Sequence, residues 1–145
     1  MLLRDERQTA LNAVEKLCLE TAHRYETAVK DLADDPLSGV CLTLSEERKR
    51  LWDELAVHIR ALDDLPQTPD PDREAAVHLL SAIKGLLTGD ARAALLADCA
   101  RLEEALADAI RAALEQDLGT EPRDTLQRLL AHTDKARREL HATGD

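Results

Sequence analysis

Residues 65–90 read LPQTPDPDREAAVHLLSAIKGLLTGD. The three prolines, Pro66, Pro69 and Pro71, cannot belong to a helix interior, so the first part of this stretch is irregular. Asp72 can then cap a short helix over 73–88. Gly89 reads as its stop and Asp90 as the cap of the next helix. Together these residues form a connection of about 25 residues, long enough to cross from one end of a helical bundle to the other. The helices on either side of it can therefore run in the same direction.

The other connections are tight. In DDP (34–36), Asp35 is placed to cap a helix and Pro36 stands at the first helical position, where its missing N–H costs nothing. In LGTEP (118–122), Gly119 ends one helix, and Thr120 or Glu121 with Pro122 starts another. These marks predict helices over about 5–33, 36–64, 73–88, 90–118 and 121–142. Composition agrees: the 145 residues are dominated by Leu and Ala, with no Phe, one Tyr and one Trp. Strong helix formers are plentiful, and the aromatic strand formers are nearly absent.

Each long segment carries an apolar stripe at three- and four-residue spacing. The stripes run through Leu11, Val14, Cys18, Ala22, Tyr25, Val29 and Leu32; then Leu37, Val40, Leu44, Leu51, Leu55 and Leu62; then Leu95, Cys99, Leu102, Leu106, Ala109 or Ile110, and Ala113; and last Leu126, Leu129, Leu130, Thr133, Ala136 and Leu140. Four such stripes bury best against one another. The expectation is a single all-α domain over 1–145: an up-down-down-up four-helix bundle with a short helix in the long crossover between its second and third helices. That is the ferritin-like arrangement.

The net charge of −10 argues against a phosphate-backbone partner, because RKR (48–50) and KARR (135–138) are the only basic clusters and acids flank both. Cys18, Cys41 and Cys99 are odd in number and widely spaced, which suggests neither a disulfide framework nor a zinc site. The start, MLLRDERQTA, lacks the apolar core of a signal peptide, and no apolar run reaches the length of a membrane span. A cytoplasmic protein without nucleic-acid or membrane partners is expected.

Three stretches carry a likeness to a known family: LNAVEKLCLETAHRYETAVKDLADDPL (11–37), HLLSAIKGLLTGD (78–90) leading straight into a helix, and LLADCARLEEALADAIRAAL (95–114). Over roughly residues 10–142 the chain resembles a bacterial family of ferritin-like four-helix-bundle proteins known as domain of unknown function 2383. The resemblance implies the bundle with its crossover helix, a ferritin-type metal ancestry and a role in stress physiology. It implies no activity.

A ferritin-type di-iron centre needs inward carboxylates on two helices and an inward Glu-x-x-His on each of the others. Winding each helix at about 100° per residue leaves that set incomplete. Glu15 and Glu26 fall on the shoulders of the first stripe, with Glu20 and His23 pointing away. On the second helix, Arg50 stands where Glu47 would need a histidine, while Glu54 and His58 share the edge of Glu47. Glu103 sits on a shoulder of the third stripe. On the fourth, Asp134 flanks the stripe, His132 and Glu139 lie off it, and Arg137 points inward. Arg48 also lies near the stripe. Such cations pair with Glu47 or Glu103 and repel a divalent ion, so an interhelical salt-bridge network is expected, with no metal and no other cofactor. The alternative is iron, manganese or zinc held by Glu47, Glu54, His58 and Glu103.

The remaining candidates point to packing. Tyr25 reads as a core residue with its hydroxyl at a polar edge, Ser45 as a cap or surface serine, Cys99 as core filler and His78 as solvated. Trp52 can pack under the crossover helix or form a subunit contact, and Val77, Leu80, Ile83 and Leu87 make that helix broadly apolar. The expected function is therefore non-catalytic: self-association as a homodimer, or interaction with another protein. A divalent-metal protein or degenerate di-iron oxidase is the alternative, and a small-ligand binder the second alternative.

Overall fold

The computed structural model describes residues 6–62 and 89–144. The expected crossover helix, with His78, Val77, Leu80, Ile83 and Leu87, lies outside the described residues. Those residues form four α-helices: α1 (Glu6–Asp31), α2 (Pro36–Ala61), α3 (Gly89–Leu114) and α4 (Thr120–Gly144). Each of the first three has 26 residues, or roughly 39 Å of helix. The helices pack as a square, with α1 against α2 and α3, and α4 against the same two.

The punctuation acts largely as its chemistry dictates. Asp35 has extended backbone angles, and its Oδ1 accepts from the Leu37 N–H at 2.9 Å, with Pro36 opening the helix. Gly119 adopts φ +83°, a left-handed conformation that a side chain disfavours. Several expected boundaries change: the second helix stops at Ala61 rather than 64, the third already includes Gly89, expected as a stop, and the fourth runs over Thr120–Gly144 rather than 121–142. The first helix stops at Asp31 rather than 33, where the chain turns through the Asp35 N–H to Leu32 carbonyl bond. The third stops at Leu114 rather than 118. There the Gln116 N–H reaches back only three residues, to Ala113, and Arg123 of α4 donates to the Gln116 carbonyl, so the chain has left the helix before Gly119.

The stripes bury as two apolar clusters. One joins Leu11, Val14 and Cys18 of α1 to Leu55 and Ile59, Leu106 and Ile110, and Leu126 and Leu129. The other joins Tyr25, Ala28 and Leu32 to Leu37, Cys41 and Leu44, Leu95 and Cys99, and Ala136 and Leu140. Each fully buried Leu or Ile contributes about 1.5–3 kcal/mol, so the two clusters supply most of the cohesion. Polar ties also fasten the outside. At one end, Arg92 of α3 donates to both carboxylate oxygens of Asp35 and to the Thr143 carbonyl, linking three helix ends. At the other end, Gln8 donates to the Leu62 carbonyl. Along the flank, Arg24 of α1 meets Asp98 of α3 at 2.8 Å.

Asp35 therefore has two duties, as a helix cap and as the anion for Arg92. Asp35→Ala removes both and is expected to destabilise the fold by about 1–2 kcal/mol, whereas Asp35→Asn keeps a capping oxygen and should lose less than half of that. Urea denaturation of the two variants beside the parent chain measures the difference.

Candidate functional site: a buried polar layer

Between the two apolar clusters lies a layer of polar side chains drawn from all four helices. Spacing puts them there. Arg48 follows Leu44 by four residues and precedes Leu55 by seven, so it falls on the inward line of α2. Glu103 lies four after Cys99 and three before Leu106 on α3. On α1, Thr21 stands between Cys18 and Tyr25, and on α4 His132 lies between Leu129 and Ala136. Arg48, Glu103, Thr21 and His132 are all buried, the first two completely.

Arg48 organises the layer. Its Nη2 donates to Oε2 of Glu103 at 2.9 Å, while Nη1 lies 2.9 Å from Oε1, so the pair is bidentate. Nη1 also donates to the Thr21 hydroxyl at 2.6 Å, and Nε donates to Nδ1 of His132 at 2.9 Å. The Tyr25 hydroxyl donates to Oε1 of Glu103 at 2.9 Å. Thr21 passes its own hydrogen to the Cys18 carbonyl, and the Cys18 thiol faces the Arg48 carbonyl at 3.8 Å. Toward solvent, Glu47 takes Lys135 on both carboxylate oxygens at 2.9 and 2.8 Å and faces His132 Nε2 at 3.4 Å. A guanidinium inside a protein is tolerated when an anion and further acceptors answer its donors. Here the Glu103 carboxylate, a hydroxyl and an imidazole do so.

The electrostatics follow. Burial alone would lower the Arg48 pKa, but the Glu103 carboxylate outweighs it and raises it, so this cation is permanent. Burial pushes the Tyr25 phenol far up, and Glu103 adds to the rise, so Tyr25 stays a neutral donor. Burial also raises the thiols of Cys18 and Cys99 to about 12 and that of Cys41 to about 11. For Glu47, burial would raise the pKa, but the hydrogen bonds from Lys135 and His132 prevail and hold it below its usual value. His132 moves the other way from a surface imidazole: burial first, and the Arg48 charge second, lower it to about 4.

Of the four expected metal candidates, Glu103 reaches the centre and is held there by Arg48 and Tyr25. Glu47 sits at the rim and connects to Glu103 only through His132 and Arg48. Glu54 is 45% exposed and pairs with Arg128 at 2.6 Å. His58 faces the Thr125 hydroxyl at 3.0 Å. The fold does not gather the four around one point, and among the described residues no group of three or more His, Cys, Asp or Glu side chains could hold a metal ion. Of the two carboxylates expected to take an inward cation, Glu103 pairs with Arg48, and Glu47 takes Lys135.

Several placements differ from those read off the stripes. His132 is inside rather than off the stripe, because α4 packs against both α2 and α3 and so buries a wider arc. Glu15 is fully buried rather than on a shoulder, lying between Leu11 and Cys18 on the inner surface of α1. Arg137 is only half-buried and pairs with Asp134 one turn back on its own helix, which draws it outward. Ser45 is neither a cap nor a surface residue. It is buried and donates to the Ala22 carbonyl, a contact that its small side chain permits between α1 and α2. The Tyr25 hydroxyl lies at the middle of the bundle rather than at an edge. Trp52 is half-buried against the cluster containing Leu55.

Among the described residues, no helix is long and apolar enough to cross a membrane. Comparison with protein-family models, with curated proteins and with solved structures finds no match.

Because Glu103 is the carboxylate paired with Arg48 among the described residues, Glu103→Ala is expected to cost about 3–5 kcal/mol. Replacing both partners by apolar residues, as in R48M/E103L, should cost clearly less than the sum of the single changes, and a double-mutant cycle in urea reads the coupling. The three buried thiols should resist a thiol reagent at neutral pH in the folded protein and all react in denaturant, which timed labelling with mass analysis would reveal.

Proposed function

We propose that this chain is a non-catalytic, ferritin-like bundle that works through association, with a second copy of itself or with another protein. The observation that carries this is the Arg48–Glu103 pair. The carboxylate best placed for chemistry in the bundle centre is already committed on both oxygens to partners within the chain. What remains for recognition is the outside. The two exposed large hydrophobic side chains among the described residues, Leu42 (47%) and Val57 (58%), both stand on α2, as does the half-buried Trp52.

The up-down-down-up course is part of the same proposal and has its own support. Gln8 near the start of α1 meets Leu62 just past the end of α2. Arg92 near the start of α3 meets Asp35 at the start of α2, and Thr143 near the end of α4. His58 late in α2 meets Thr125 early in α4. With α2 and α3 running together and α1 and α4 running against them, the connection over 63–88 is the long crossover.

Sedimentation at micromolar concentration and at ten times that value tests the association. A species of twice the 16.0 kDa chain mass that dissociates on dilution is expected. A 16.0 kDa species unchanged across the range overturns self-association. Metal analysis of protein purified without chelator addresses the rival: stoichiometric iron, manganese or zinc that disappears in Glu54→Ala or His58→Ala would replace the association reading with a metal-binding one.

A further inference from the structure

His132 is held in a geometry that denies it a second proton. Its Nδ1 accepts from Nε of Arg48 at 2.9 Å, and a guanidinium has only hydrogens to offer. The ring hydrogen therefore resides on Nε2, which faces Oε1 of Glu47 at 3.4 Å. An imidazolium needs a hydrogen on Nδ1 as well, and that hydrogen would point at the hydrogen on Arg48 Nε. Charging the ring and keeping the Arg48 bond are mutually exclusive.

The charges around the ring give the displaced imidazolium somewhere to go. From α2 come the Arg48 cation and the Glu47 anion, and from α4 itself comes Lys135, held on Glu47 at 2.8 Å. Glu103 of α3 acts through Arg48. On α1 the groups next to Arg48, Thr21, Tyr25 and Cys18, are neutral, and the buried Glu15 carboxyl stands one turn further on, next to Cys18. Glu47 is thus the anion within reach of the ring, and it sits at the rim of the α2–α4 seam rather than in its centre.

We propose that the Arg48–His132 contact is an acid-operated latch across the α2–α4 seam: proton uptake at Nδ1 breaks the bond to Arg48 and turns the ring toward Glu47, loosening the middle of the seam while the apolar clusters on either side stay packed. This goes beyond the association reading and does not depend on it. Burial and the Arg48 charge lower the latched ring to about 4, against the ordinary 6.5 of a free imidazole, which serves as the reference for the released ring. The released state binds more protons throughout that window. Opening therefore becomes more favourable as pH falls from about 6.5 and levels off below about 4. Linkage makes the unlatched fraction rise roughly twenty-fold between pH 7 and pH 5.

Nuclear magnetic resonance of the full chain reads the latch directly through the Arg48 Nε–H. At pH 7 its exchange with water should be strongly retarded, and the His132 ring nitrogens should report the Nε2–H tautomer. Corrected for the intrinsic pH dependence of guanidinium exchange, protection should fall about twenty-fold by pH 5, while amide protection at Leu55–Ile59 and Leu106–Ala113 changes by less than about threefold. His132→Asn offers Arg48 an oxygen that does not titrate and should abolish the fall. Unchanged Arg48 protection in the parent, the same fall in the variant, or an equal loss along all four helices overturns the proposal. If the variant does not fold, the parent alone decides: ring charging that coincides with loss of Arg48 protection supports the latch, and an Nδ1–H tautomer at pH 7 or charging with protection intact overturns it.

Discussion

A guanidinium in the centre of a helical bundle has to be answered, and the answer here uses all four helices. Arg48 of α2 needs an anion, which α3 supplies as Glu103, and acceptors for its remaining hydrogens, which α1 supplies as Thr21 and α4 as His132. Apolar contacts are non-directional and would tolerate a helix displaced by one turn. This layer would not, because a shift of about 5 Å would place a fixed cation among Leu and Ile side chains. The apolar clusters supply the cohesion, and the polar layer selects one alignment of the helices from those the clusters would accept.

The same layer narrows what the interior can do. A carboxylate in a bundle centre is the raw material of oxygen-ligand metal sites. Here that carboxylate, the phenol beside it and the Cys18 thiol are turned to internal bonding, with the phenol and the thiols of Cys18 and Cys99 held protonated by burial. Among the described residues, partly exposed polar pairs lie on the flanks, as where Glu54 meets Arg128 and Glu47 meets Lys135. These are rim contacts, and each is worth little in stability.

Much of this was legible in the letters because the governing rules are local. Asp35–Pro36 and Gly119 mark their turns through backbone chemistry that depends on no distant residue. Three- and four-residue spacing located most of the core, and charge balance suggested that Arg48 or Arg137 would seek Glu47 or Glu103. The misses share one cause. A stripe wound from apolar residues is narrower than the arc a helix buries when it has two neighbours, so polar residues beside it were placed too far out: Glu15 on a shoulder, Ser45 at a cap or the surface and His132 off the stripe. His132 follows Leu129 by three and precedes Ala136 by four, so its place was present in the pattern, but its being polar argued the other way. Arg137 failed in the opposite sense, because a long side chain can leave an inward position for an acid one turn away. The four metal candidates came from a search for ligand types, which says nothing about which of them share a point in space.

The scarcity of aromatic residues has a practical side. The single tryptophan, Trp52, packs against the cluster around Leu55, and the single tyrosine, Tyr25, belongs to the cluster around Leu37, on the other side of the arginine layer. Nature has thus placed one chromophore in each half. Indole emission reports one compartment and phenol absorbance the other, with no label added. Any event that loosens one half ahead of the other would separate the two optical signals in time, and a bundle that melts as one body would keep them together.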